Sequence, residues 1–234
     1  MKTISLISQK GGGGKTTVAY SLAVAAEKAG YPATVIDLDP HGNAISWAAD
    51  RKNHWEGRAE AQVPIVEDSI PARLAEKIKK AEADGSEYVF VDTPASLGEY
   101  SMAAAKSADL IILPLKPRRH DINAFEPNLN LLKITGVKPA FAFLNECPPQ
   151  GIRHLEAADY IREKFGFPVA SLYFCKREAF ADASILGLSA QEYEPKGKAA
   201  KEIVQFFDFV HQMLNQLESE DQNGTTQLDR LCAQ

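Results

Sequence analysis

The chain has 234 residues, 45% of them apolar and 24% charged, which suits one substantial buried core and leaves little for a second. A formal net charge of −5 excludes a generally basic nucleic-acid binder but leaves room for a local basic patch. No apolar run approaches the ~20 residues of a membrane span. The N-terminus passes from Lys2 through ISLIS into glycines, unlike a signal peptide, so a cytoplasmic protein with no transmembrane segment is expected. Cys147, Cys175 and Cys232 lack metal-ligand spacing and are read as two core thiols and one tail thiol in a reducing compartment.

Along the chain, short apolar, β-branched runs alternate with helical stretches. TISLIS is followed by a helix over 16–29, ATVIDL by one over 43–51, and then come YVFVD, DLIILPL, PAFAFLN and PVASLYF. This alternation predicts a single α/β domain over 1–217, a mostly parallel twisted sheet with helices on both faces. Runs such as VFV and LIIL fit strands buried on both sides. Gly30, Gly85, Gly136 and Gly166 fall where helices should stop. After Lys198, the residues Ile203, Phe206, Phe207, Val210, Met213, Leu214 and Leu217 share one helical face, expected to dock on the sheet. Residues 218–234 are acidic, carry a net of three of the five negative charges, and are expected to form a disordered tail.

The chemistry is concentrated behind the first strand, in SQKGGGGKTT. A strand that feeds glycines into a helix aims backbone N–H groups and the positive helix end at one point, where phosphate binds. Gly11, Gly12, Gly13 and Gly14 allow close approach, Lys15 reaches the phosphates of ATP, and the hydroxyl of Thr16, next to Thr17, completes a magnesium shell. This makes the domain a P-loop NTPase. Two acidic motifs end strands on the same edge: VIDLDPHGN, with Asp37 and Asp39 pointing the same way, and YVFVDTPAS, with Asp92. Asp92 has the setting of a Walker B carboxylate that holds Mg2+. Of the pair, one carboxylate is expected near the metal and the other on the attacking water, so Asp37 is a candidate for both roles and Asp39 for the second. One feature departs from the common G-x-x-x-x-G-K-[ST] spelling: Gln9 replaces glycine, and an additional lysine, Lys10, opens the glycine run.

KGGGGKTT resembles the deviant Walker A motif K-G-G-x-x-K-[ST] of the ParA/MinD ATPases, and DLDPHGN resembles the D-x-D-P-Q-G-N of the ParA branch. The resemblance covers roughly 200 residues, through ILPLKPRRHD, FLNECPPQG and KREAFADASILGLSAQEYEPKGKAAKEI. It implies that Lys10 reaches across an ATP-bound homodimer to the partner's phosphates, so that hydrolysis depends on dimerisation. It also implies that Asn145 lies on the adenine side, and that Pro117 to Asp121 lie near the base and the dimer face. Two departures are His41 in place of the usual Gln and Ser96-Leu97 after DTPA where many members carry DTPP.

The first strand starts at about Lys2, so the chain resembles the small ParA type without a preceding DNA-reading domain. An acidic C-terminal end disfavours MinD-like membrane anchoring. No cysteine follows the Asp92 motif, which disfavours a reductase like the nitrogenase iron protein. The resemblance therefore implies an ATP-driven dimer that binds DNA non-specifically, is stimulated by a ParB-like adaptor and associates with the nucleoid. Plasmid or chromosome partition is the first expectation. Positioning of a chemosensory array, microcompartment or conjugation complex is the alternative, and a P-loop metabolic ligase or kinase stands behind both. Lys176, Arg177, Lys196, Lys198 and Lys201 are the expected DNA contacts.

Overall fold

A computed structural model describes residues 1–58, 63–136 and 138–221. Seven strands form one sheet in the order β3-β2-β4-β1-β5-β6-β7. They are β1 (Lys2–Leu6), β2 (Ala33–Asp37), β3 (Ile65–Asp68), β4 (Tyr88–Asp92), β5 (Leu110–Leu115), β6 (Ala140–Cys147) and β7 (Val169–Cys175). Every neighbouring pair is parallel. The helices are α1 (Lys15–Lys28), α2 (Asn43–His54), α3 (Leu74–Ala83), α4 (Glu99–Ser107), α5 (Arg119–Asn123), α6 (Glu126–Thr135), α7 (Arg153–Phe165), α8 (Glu178–Ile185), α9 (Ala190–Tyr193) and α10 (Lys198–Asp221).

The period-2 geometry of the strands sorts their apolar residues into two cores. Ile4, Leu6, Val35, Phe90, Ile112, Phe141 and Phe143 face one side with α1 and α10. Ile36, Val89, Val91, Ile111, Leu113, Ala142 and Leu144 face the other, with residues of α3, α4, α6 and α7. All seven apolar residues foreseen on the face of α10 are buried, and Phe206 stacks on Phe143 at 3.9 Å. The expected strands are all present. The structure adds β3, an edge strand whose four residues are half-buried or exposed and so lack an apolar run. Helix α10 continues to Asp221, and Glu218 pairs with Lys2 at the start of β1 (2.6 Å). Residues 222–234, including Cys232, lie outside the described residues.

An ion pair ties the late part of the chain to the body. Arg51 of α2 is 3% exposed and grips Glu192 of α9 through two bonds of 2.8 Å, with further bonds to the carbonyls of Val63 and Gly187. Glu192 is also the second half of a capping box with Ser189, closing the short helix α9. Gly187 must lack a side chain here, because a Cβ would lie 1.9 Å from the Arg51 nitrogen and its φ is +64°. Helix α2 is thus anchored at its far end to the segment that leads into α10.

Candidate functional site

Strand β1 lies between β4 and β5, so the chain leaves its carboxyl end at the point where the strand order diverges, and crevices form there in such sheets. The loop over residues 7–14 sits in that crevice. Gly12 (φ +76°) and Gly14 (φ +90°) adopt left-handed backbone that a side chain would strain, and Gly14 serves as the N-cap of α1. A Cβ on Gly13 would lie 2.7 Å from the carbonyl oxygen of Pro114. The glycine run is therefore demanded by conformation at two positions and by the β5 backbone at a third.

Lys15 and Thr16, in the first turn of α1, point back into the loop. Lys15, only 7% exposed, donates through its ammonium to the Ser8 carbonyl at 3.4 Å. Burial pulls its pKa down, opposed by the charges of Asp92 and Asp39. Thr16 Oγ1 donates to Asp92 Oδ2 at 2.6 Å. Asp92 is fully buried at the end of β4, and its Oδ1 has no hydrogen-bond partner. Desolvation pushes its pKa up to about 7, offset in part by the Thr16 hydroxyl and Lys15. An orphaned carboxylate oxygen beside a threonine hydroxyl and a buried lysine is a donor set that fits a hydrated magnesium ion on a phosphate chain. Thr17 follows, half-buried, in the same turn.

Asp37 and Asp39 do not form the parallel pair expected of an extended strand end. Strand β2 stops at Asp37, and the chain turns so that Asp37 Oδ1 accepts the N–H of Asp39 (2.9 Å). Its Oδ2 accepts the N–H groups of Ala44 (2.9 Å) and Ile45 (3.2 Å), at the start of α2. Asp37 is 2% exposed and acts as the brace of that helix. It also stands in register beside Asp92 on the neighbouring strand, and its charge helps raise the Asp92 pKa, so bracing the helix and facing the metal site are combined in one residue. Its burial raises the pKa, and the three N–H bonds oppose the rise. Asp39 is half-buried, accepts the His41 N–H at 3.0 Å and lies close enough to influence Lys15.

The rim of the loop holds several residues at long sequence distance. Lys10 pairs with Asp121 of α5 in the same chain at 2.5 Å, and its side chain is 38% exposed. The Asn145 amide, near the end of β6, donates to the Gly13 carbonyl at 3.0 Å and would lie 2.0 Å from a Cβ on Gly14. It supports the loop from below, whatever it does toward a base. Pro117 is half-buried in the turn after β5. Asn128 accepts the Gln9 N–H at 3.1 Å and donates to the Phe125 carbonyl at 3.1 Å. Sequence reasoning missed Asn128. Its only signal is a polar residue on the otherwise apolar face of EPNLNLL.

The expected DNA contacts divide. Lys176, Lys196, Lys198 and Lys201 are exposed. Lys201 lines a groove with Lys28, Gln191, Pro195 and Val204, which adds a lysine from α1 to the set. Arg177 differs from them: its guanidinium is tied to Glu202 of α10 at 2.5 and 3.0 Å, and Glu202 also accepts the Cys175 N–H. That charge is neutralised within the fold.

The family described as the CobQ/CobB/MinD/ParA nucleotide binding domain matches residues 4–219. The chain belongs to this family. Its members include the ParA/MinD-type P-loop ATPases. Among relatives, the chain is 30% identical over 203 residues to the maintenance of carboxysome distribution protein A of Gloeobacter kilaueensis, covering 86% of this chain and 88% of that one. Among solved structures, it resembles the cell division ATPase MinD of Pyrococcus furiosus (TM-score 0.72, 23% identity, covering 91% of this chain and 99% of that one). It also resembles the septum site-determining protein MinD of Pyrococcus horikoshii complexed with Mg-ADP (TM-score 0.70, 20% identity, covering 89% and 95%). Such structural likeness shows that the family fold is kept across most of the chain. No helix among the described residues is long and apolar enough to cross a membrane.

Proposed function

We propose that the protein is a magnesium-dependent ATP hydrolase that dimerises on ATP, holds DNA non-specifically and moves or positions a cargo until an adaptor protein stimulates hydrolysis. The observation that carries this reading is the different setting of the two loop lysines. Lys15 is buried against its own Asp92, whereas Lys10 sits at the rim, more than a third exposed. Only the second can leave its own subunit.

Bound ATP with Mg2+ supplies a phosphoryl group for transfer to water. The loop N–H groups and Lys15 would hold the phosphates, Thr16 and Asp92 would hold the ion through its oxygen shell, and Asp39 would orient the attacking water and take its proton. Lys10, exchanging Asp121 for the partner's site, supplies positive charge where negative charge develops, as an arginine finger does in trans. The relative solved with Mg-ADP supports the choice of nucleotide and ion.

DNA binding rests on Lys176, Lys196, Lys198 and Lys201, with Lys28 beside them. Lys198 and Lys201 occupy the first turn of α10, which carries no acidic residue. A helix start favours negative partners, so lysines there add to an already positive end and suit a phosphate backbone. With ATP and magnesium at low salt, the protein is expected to bind unrelated duplexes alike, with a slope of about −0.9 in log affinity against log salt for each phosphate neutralised. Lys198→Glu with Lys201→Glu should weaken this by about tenfold or more and leave ATP affinity unchanged, as measured by fluorescence anisotropy and calorimetry. Equal binding by the double variant would remove these lysines from the interface.

The cargo follows from the adaptor. Partition of DNA remains the first reading, and the relative named for carboxysome distribution favours the positioning of a microcompartment as the second. A metabolic ligase or kinase would need a small-molecule acceptor. Turnover without one, rising with DNA and adaptor, separates the two classes.

A further inference from the structure

The turn after β5 brings a third lysine to the phosphate loop. Lys116 follows directly on the strand that pairs with β1, and its ammonium lies 3.8 Å from the point where a Cβ on Gly12 would stand. It shares a narrow cleft with Ser8, Lys10, Gly13 and Asp121. Its charge is held by Glu146 Oε1 at 2.7 Å, with the lysine 19% and the glutamate 33% exposed.

Glu146 is itself unusual. It has φ +52°, making it the non-glycine residue with positive φ among those described. Such backbone suits glycine, and a glutamate there is strained. It sits between Asn145, which holds the Gly13 carbonyl, and Cys147, where the register of β6 against β7 is irregular. From this position its carboxylate meets the Lys116 ammonium. At the other rim lysine the arrangement repeats, since Lys10 is held by Asp121. Both cations at the mouth of the loop are thus paired with a carboxylate of their own chain.

We propose that Lys116 is a further phosphate-chain residue of this site, kept beside the loop by Glu146 and transferred from that carboxylate to the phosphates when a nucleotide binds. The proposal rests on the nucleotide-site reading above. Unlike Lys10, Lys116 acts within its own subunit, so its contribution is present in the monomer and with ADP as well as ATP. Glu146 then competes with the nucleotide for the same ammonium.

These roles give opposite signs, which a merely structural brace would not. By calorimetry with Mg-ADP, Lys116→Gln should weaken binding about tenfold, the size of one charge-assisted hydrogen bond. Lys116→Arg should restore most of it. Glu146→Gln should tighten binding about threefold, and the double variant should behave as Lys116→Gln alone, because the competitor matters only while the lysine is present. Thermal melting of each variant establishes that it is folded. Wild-type affinity for folded Lys116→Gln overturns the proposal, as does equal weakening by Glu146→Gln. Lys15→Ala is the control: if it alone keeps wild-type affinity, the nucleotide-site reading fails instead, whereas its loss of binding beside an unaffected Lys116→Gln isolates the failure to Lys116.

Discussion

Lys15→Ala is expected to reduce ATP affinity by more than about a hundredfold, to below detection in calorimetry at ordinary protein concentrations. The loop places this ammonium at its centre, walled off from water, with Asp92 and Asp39 as the nearest charges. In such a setting each hydrogen bond to a phosphate oxygen is charge-assisted and poorly screened, so one side chain contributes more than a surface lysine could. The empty site has the opposite preference. Burial already disfavours the charged form of Lys15, so Lys15→Met should leave the ligand-free protein as stable as wild type or more so, while binding no ATP. A thermal melt with and without Mg-ATP checks both halves: wild type should gain melting temperature with nucleotide and the variants should not. Wild-type affinity in Lys15→Ala would contradict the assignment of the loop.

Asp37→Ala is expected to lower folding stability by about 3 kcal/mol or more, read as a shift in denaturant midpoint. The reason is local. One buried carboxylate satisfies the N–H groups of Asp39, Ala44 and Ile45, and alanine leaves all of them without an acceptor at the start of α2. Asp37→Asn, which keeps one acceptor oxygen, should fall between. If Asp37 were chiefly a metal ligand, the ligand-free protein would be indifferent to its loss, and an unchanged midpoint for Asp37→Ala would show that.

The comparison of these two residues shows what a sequence carries and what it does not. The loop was legible because its chemistry is local: strand, glycines, Lys15, Thr16 and helix follow one another. Likewise β4 and β5 were legible because strands buried on both faces are largely apolar along their length. Strand β3, on the edge, is under no such demand and left no run to find. Asp37 and Asp39 look alike in VIDLDP, and their roles diverge only because α2 folds back to present its N–H groups to the first of them. Arg177 looked like a free cation because Glu202 lies 25 residues away and meets it only through the packing of α10 on β7. The partners of Lys10 and Lys116, too, come from strands and helices more distant than any local pattern can register.

The central claim is that ATP drives two copies together through Lys10, and light scattering of the purified protein with Mg-ATP and with Mg-ADP tests it most directly. Wild type should double its mass with ATP and stay monomeric with ADP. Lys10→Ala should still bind nucleotide yet remain monomeric and lose turnover. Asp39→Ala should remain dimeric with ATP for longer than wild type, because the phosphate contacts persist while water activation is gone. Wild-type mass and turnover in both variants would contradict the account.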